Sequence, residues 1–108
     1  MATNKNQKTV SQETIDKVGG KQNLRRLVLR DEFQDLELEV ISRIPDRTTM
    51  GEYLKYANVN PKKAQEVLVN GCLLTDRDEV LGSDALFNSC VAGIAETIPM
   101  AAAKVEKY

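Results

Sequence analysis

The sequence predicts a small α+β protein with a short N-terminal helix, a β-hairpin and then a C-terminal bundle of three to four helices. Residues 24–44 contain two runs in which apolar and charged side chains alternate, a pattern typical of half-buried strands. Residues 49–107 instead repeat apolar side chains every three or four positions, the spacing of amphipathic helices. The chain of 108 residues has the size of one domain, predicted to span residues 11–108 after a flexible N-terminus of residues 1–10.

The N-terminal helix is predicted from its two ends. Thr9 and Gln12 have the spacing of a capping box, in which each side chain bonds the other residue's backbone N–H. Ile15 and Val18 would share one face of the helix. The Gly19-Gly20 pair would end it, because glycine adopts the left-handed conformation at little cost.

The hairpin is predicted from charge and apolar pairing across residues 24–30 and 35–44, with residues 31–34 as the loop. In this register one face pairs basic with acidic side chains and the other pairs apolar ones. The predicted pairs are Arg30 with Asp35, Val28 with Glu37, Arg26 with Glu39, Leu29 with Leu36, Leu27 with Leu38, and Arg25 with Val40. A slip by one residue would break both patterns, which favours the hairpin over two unrelated strands.

A first helix is expected after the hairpin. Pro45 ends the second strand, because it cannot donate to a ladder, and residues 46–48 are predicted to turn the chain. Thr49 and Glu52 have the spacing of a second capping box. The predicted apolar stripe of this helix is Met50, Tyr53, Leu54 and Ala57.

The next helix is predicted to begin at Asn60-Pro61, since asparagine is a good N-cap and proline a good first residue. Its stripe comprises Ala64, Val67, Leu68 and Cys72. Residues 75–82 then form a polar connection, from which Val80 and Leu81 are expected to fold back onto the core.

The strongest helical pattern follows Ser83, which is predicted to cap the helix. The apolar series consists of Phe87, Cys90, Val91, Ile94, Ala95 and Ile98. Pro99 is expected to kink or restart the helix, which would continue as an alanine-rich piece from residue 100 to 107. Because this stripe is longer than a two-stranded hairpin can cover, part of it is predicted to bind a partner. The predicted partner-binding residues are Phe87, Val91, Ile94, Ile98 and Met100.

The residue types argue against enzyme chemistry, and no cofactor or metal is predicted. The chain contains no histidine, the commonest general base and a common metal ligand. Cys72 and Cys90 fall in apolar helical patterns, which favours buried free thiols over a disulfide or a nucleophile. Asp76, with the acidic residues that follow it, lacks the spacing of a calcium loop. A solvated acidic loop is therefore expected there.

Charge also bears on nucleic-acid binding. Fifteen basic and sixteen acidic residues give a net charge of −1, too little for a global field that attracts nucleic acid. A basic group comprises Lys21, Arg25, Arg26 and Arg30. These residues could contact phosphates, but the acidic residues 31–39 of the same hairpin favour an ion-paired, solvated face.

The layout resembles the small tail assembly chaperones of long-tailed bacteriophages. The residues that carry the resemblance are Arg43-Ile44-Pro45 with Thr48 and Thr49, the helix PKKAQEVLVNGCLL from Pro61, and the helix DALFNSCVAGIAETI from Asp84. The resemblance implies a non-enzymatic protein that binds the tape measure protein, the tail tube protein or both before the tail polymerises. It implies no catalytic residues.

Two other functions stay open at the level of sequence. One is a structural virion subunit of the tail-terminator or head-completion type, and the other is a small DNA-binding regulator. A homodimer is also expected, because a small domain with a long apolar helix often completes its core with a second copy. The polar start of the chain and the absence of a long apolar stretch predict a cytoplasmic, non-secreted protein, in the host cell if a phage encodes it.

Overall fold

The computed structural model of the protein describes residues 8–99 and 103–108, and it confirms the α+β class. The elements are α1 (Gln12–Lys17), a 3-10 turn (Lys21–Asn23), β1 (Leu24–Asp31), β2 (Leu36–Arg43), α2 (Arg47–Ala57), α3 (Pro61–Cys72), α4 (Arg77–Leu81) and α5 (Asp84–Glu96). The two strands form one antiparallel hairpin. In the described residues four helices follow it: three lie where helices were predicted, and the fourth, α4, forms in the predicted polar connection.

The N-terminal helix is capped two residues later than predicted. The Ser11 hydroxyl, rather than that of Thr9, accepts the N–H of Thr14 at 3.2 Å. The predicted end at Gly19-Gly20 is correct, since both glycines have positive φ, at 92° and 114°. Of the residues expected to be flexible, 1–7 lie outside the described part of the chain. Lys8 is tied to the body by a 2.6 Å ion pair with Asp76.

The hairpin register differs from the predicted one by two residues. Leu29 pairs with Leu38 and Arg30 with Glu37, rather than with Leu36 and Asp35. A two-residue slip keeps every side chain on its predicted face, so the alternation of apolar and charged residues cannot distinguish the two registers.

The turn explains which register forms. β1 continues through Asp31, whose carboxylate accepts the backbone N–H of Phe33 at 3.0 Å and of Gln34 at 3.3 Å. Asp35 then adopts a left-handed backbone with φ of 50°. Aspartate side chains commonly accept backbone N–H groups two or three residues later, as Asp31 does, and aspartate tolerates the left-handed backbone of Asp35. The loop is therefore shifted to residues 32–35.

The inner face of the hairpin carries the core. Leu29 and Val40 are buried there, and α5 packs along β1. The core cluster is made of Leu29, Val40, Leu68, Val69, Cys72, Leu73, Val80, Leu86, Cys90 and Ile94. The approach of α5 is close, because a Cβ added at Gly93 would lie 3.2 Å from Leu27 Cδ1. This contact leaves no open groove between α5 and β1 at Gly93.

The edge of β2 that does not pair with β1 is also covered. Leu73 pairs with Ser42 in an isolated antiparallel bridge, and the N–H of Leu74 donates to the carbonyl of Ile41 at 2.9 Å. The Thr75 hydroxyl accepts the N–H of Ile41 at 3.0 Å. The chain after α3 therefore satisfies strand groups that would otherwise form an exposed edge.

α2 begins about three residues earlier than predicted, because Asp46 caps it. Residues 47 and 48 are therefore helical and do not form the expected chain reversal. The Asp46 carboxylate accepts the N–H of Thr49 at 2.8 Å, and that bond holds its pKa below the ordinary value of 3.8. α2 contains no buried residue. Tyr53 of the predicted stripe packs against the core. Leu54 is 63% exposed, so its assignment to the apolar stripe was wrong.

α3 begins as predicted, with the Asn60 side chain accepting the N–H of Lys63 and Pro61 in the first turn. Its buried residues include Val69, which the predicted stripe left out. The polar connection after α3 forms the short helix α4. As expected, Val80 of that helix is fully buried, whereas Leu81 is exposed, contrary to the prediction.

α5 is capped by Ser83, as predicted, but ends at Glu96, before Pro99. The Thr97 hydroxyl donates to the Ile94 carbonyl at 2.7 Å and completes the C-terminus. The expected continuation is wrong for residues 103–107, which are not helical. A segment that short has little helical stability without packing. Residues 100–102 lie outside the described part of the chain.

Candidate protein-binding surfaces

The residues predicted to bind a partner on α5 divide between core and surface. Ile94 is fully buried, whereas Phe87 and Val91 are half-buried and packed against the core. Ile98 is half-buried beyond the end of the helix. Met100 lies outside the described residues. The apolar stripe of α5 is therefore used mainly for folding, and β1, α3 and α4 pack against the helix.

The two cysteines are buried and free, as predicted. Burial away from water raises the pKa of both thiols to about 11. Each thiol is therefore protonated at neutral pH, and a protonated thiol is a poor nucleophile. Their role in the structure is to pack, Cys72 from α3 and Cys90 from α5.

The acidic residues after α3 do not converge on one point. Asp76 has a left-handed backbone with φ of 55° and pairs with Lys8, while Asp78 and Glu79 are exposed. Among residues 8–99 and 103–108, no three His, Cys, Asp or Glu side chains are grouped closely enough to hold a metal ion. Within the same residues, no helix is long and apolar enough to cross a membrane.

The tip of the hairpin presents a large apolar side chain to solvent. Phe33 is 98% exposed, and Leu36 at the start of β2 is also exposed. The loop around Phe33 is held from both sides. Asp31 accepts two of its backbone N–H groups, and Arg30 pairs with Asp35 at 2.6 Å. The loop thus holds the Phe33 backbone in a defined turn without covering the ring.

The outer face of the hairpin is covered with ion pairs, as the charge pattern predicted for Arg26 and Arg30. Arg30 contacts Glu37 at 3.2 Å in addition to Asp35. Arg26 contacts Glu39 at 3.4 Å and donates to the Lys8 carbonyl at 2.6 Å. Both arginines are already ion-paired within the chain, which weakens the alternative that they bind phosphates.

A pocket of about 480 Å³ lies at the base of the hairpin, beside the segment that leads into α1. Its volume is within the range of about 300 to 1,000 Å³ that is typical of binding pockets. Its apolar lining consists of Val10, Ile15, Leu24 and Ile41, and its basic lining of Lys21, Arg25 and Arg26. Sequence reasoning identified the basic group but missed the pocket, because the pocket depends on where residues 9–15 cross the sheet.

Comparisons with known proteins bear on the fold. No protein-family model and no curated protein matches the chain. Among solved structures, the chain is similar to rbstp2171 of Bacillus stearothermophilus, which is described as an uncharacterised protein. The two share 17% sequence identity with a TM-score of 0.60, and the match covers 88% of this chain and 97% of the other. At that identity, the likeness shows a shared fold alone.

Proposed function

We propose that the protein is a non-enzymatic binding protein of the tail assembly chaperone type, which holds the tape measure protein, the tail tube protein or both before tail polymerisation. The resemblance in layout between the sequence and that group supports the proposal. Work of this kind needs apolar side chains that reach a partner and a charged exterior that keeps the complex dispersed.

The observation that carries the proposal is the exposure of the Phe33 side chain at the tip of the hairpin. An aromatic side chain contributes a large apolar area to an interface, and such residues are enriched among binding hot spots. Leaving Phe33 98% exposed brings no burial energy to this fold. The surrounding hydrogen bonds and ion pair nevertheless fix its loop, so a partner would not have to order the backbone when it binds.

Large apolar side chains are also exposed at other places in the described part of the chain. Leu54 on α2 and Val59 after it are 63% and 78% exposed. Single exposed hydrophobic residues are common and need no explanation. Phe33 differs from them because it is an aromatic side chain that is almost wholly exposed on a loop held by Asp31 and by the Arg30–Asp35 ion pair. We therefore place the partner contact at the hairpin tip rather than on α2.

Co-expression tests this function. The chain is produced together with a tape measure protein from the same genome, and the soluble fraction of that partner is measured. We expect the wild-type chain to raise the soluble fraction and to co-purify with the partner. Phe33→Ser should reduce both effects, whereas Val59→Ser, the loss of another exposed apolar residue, should reduce neither.

Two results would contradict the proposal. If the wild-type chain leaves the partner's solubility unchanged and does not co-purify, the chaperone proposal is wrong. If both variants retain full activity, the proposal of the hairpin tip as the contact is wrong. Mass spectrometry of purified particles separates a chaperone from a structural subunit, because a chaperone should be absent from the particle.

A further inference from the structure

We infer that the pocket at the base of the hairpin binds an acidic segment of a partner protein that also carries aliphatic side chains. This inference rests on the proposed function and names the chemistry of the partner and a second place where it binds. The apolar lining suits aliphatic side chains, and the basic rim suits carboxylates.

Most hairpin arginines already have a carboxylate within the chain. Arg26, Arg30 and Arg43 contact Glu39, Asp35 and Asp46 at 3.4, 2.6 and 3.3 Å. Among the residues that the structure describes, no carboxylate lies within 4.0 Å of Arg25 or Lys21, which both line the pocket. In the described part of the chain, the one hairpin arginine without a carboxylate partner therefore lines the pocket, together with Lys21.

The Arg25 side chain is also held in place at the rim. Its Nη1 donates to the carbonyls of Gln22 and Leu24, both at 2.8 Å. A guanidinium group has five N–H donors in a fixed plane, so Arg25 keeps donors for a carboxylate while its position is restrained. Restraining the group in advance lowers the entropy that binding would otherwise lose.

Other occupants fit the pocket less well. Residues 1–7 read MATNKNQ and contain no acidic side chain, so the start of the chain cannot neutralise Arg25 and Lys21. A nucleic acid would match the cations, but its sugar-phosphate backbone would leave the aliphatic lining formed by Ile15, Leu24 and Ile41 without a matching group. A protein segment with carboxylates beside leucine-like side chains satisfies both parts of the pocket.

Amide NMR titration of the full chain tests the inference without any phage protein. The probe is a short blocked peptide of sequence Leu-Glu-Asp-Leu-Ile-Glu-Glu-Leu-Leu, and its control has Gln and Asn in place of Glu and Asp. We expect the acidic peptide to shift the signals of residues 20–26 and 41, and salt to weaken the effect by screening. The neutral control should bind about tenfold more weakly, the loss typical of one charge-assisted contact.

Two variants make the test specific. Arg25→Gln should weaken acidic-peptide binding by about tenfold, whereas Arg47→Gln, which changes an exposed arginine on α2, should leave it unchanged. Ile15→Ser, which makes the apolar lining polar, should also weaken binding. Thermal melting of each variant shows whether it is folded. Arg25 is exposed and makes only backbone bonds, so its variant is expected to fold.

Several results would overturn the inference. Equal binding of the acidic and neutral peptides, signal shifts at α2 or α5 instead of the pocket, or no shifts at all would each do so. A short single-stranded DNA that shifts the same signals more strongly than the peptide would assign the pocket to nucleic acid instead. A mass that increases with chain concentration, and falls when the peptide is added, would assign it to a second copy. Failure here leaves the co-expression test untouched, because that test depends on Phe33.

Discussion

The two faces of the hairpin are built from the same alternating sequence but serve different ends. On the inner face, Leu29 and Val40 are buried under α3 and α5. On the outer face, Arg26 and Arg30 pair with glutamates, and Val28 is 64% exposed between them. The inner face therefore accounts for folding. The tip and the pocket at the base of the hairpin have side chains that the core cluster does not include.

The largest expected effect is on the layer that covers the inner face. Ile94→Asp places an unpaired charge where the side chain is fully buried, and it should lower the free energy of unfolding by about 4 kcal/mol or more. Ala92→Asp is the control, because Ala92 is exposed on the same helix and its replacement should cost no more than about 1 kcal/mol, mainly through the lower helix propensity of aspartate. Urea unfolding measures both. A soluble, stable Ile94→Asp chain would show that α5 does not pack as described.

Adjacent residues of β1 compare the two faces directly. Leu29→Ala should cost about 2 to 5 kcal/mol, because it leaves a cavity in the core. Val28→Ala, one position along the strand, should cost less than about 0.5 kcal/mol, since that side chain is mostly in water. Similar losses from the two variants would contradict the assignment of faces, as would a larger loss at Val28.

A smaller effect concerns the one polar group that the inner face leaves without a partner. The Ser42 hydroxyl is buried and has no hydrogen-bond partner among the described residues. Removing an unsatisfied buried group with little change of shape should stabilise the protein, so Ser42→Ala is expected to gain up to about 1 kcal/mol. Ser83→Ala should instead lose about 1 kcal/mol, because that hydroxyl caps α5. Losses of equal size would show that Ser42 has a partner in solution.

The smallest effect is expected for the ion pairs of the outer face. Arg30→Gln removes contacts to Asp35 and Glu37, but all three side chains are well exposed. Such pairs contribute about 0 to 1 kcal/mol, and salt screens them. The stability difference from the wild type should therefore shrink at high salt. A loss as large as that of Leu29→Ala would mean that the outer face also determines the fold.

The sequence predicted the parts of the fold that depend on a repeated pattern. Alternation assigned Leu27, Leu29 and Leu38 to one face, and the helical spacing placed Cys90 and Ile94 in the core. The predicted register was wrong by two residues, because a shift of two leaves every side chain on the same face and so leaves the alternating pattern unchanged. The deciding feature was local, the bonds from the Asp31 carboxylate to the loop.

The candidate site was less predictable, for a physical reason. Phe33 lies in the loop both as predicted and as observed, but strand alternation does not tell whether another element covers a loop side chain. The pocket needs residues 9–15 to cross near Ile41, a contact between distant parts of the chain that no local pattern encodes. The pairing of Arg26 and Arg30 was predictable from charge, whereas the absence of a carboxylate beside Arg25 in the described part of the chain depends on the three-dimensional arrangement.

Amide hydrogen exchange of the chain, free and in complex with the co-expressed tape measure protein, tests the central claim most directly. We predict that binding slows exchange in residues 20–26 and 31–37, at the base and tip of the hairpin. Exchange in α5 should be unchanged, because its apolar stripe is already covered by the chain's own core. Slower exchange confined to α5, with the hairpin unchanged, would contradict the account and return the binding surface to the helical half.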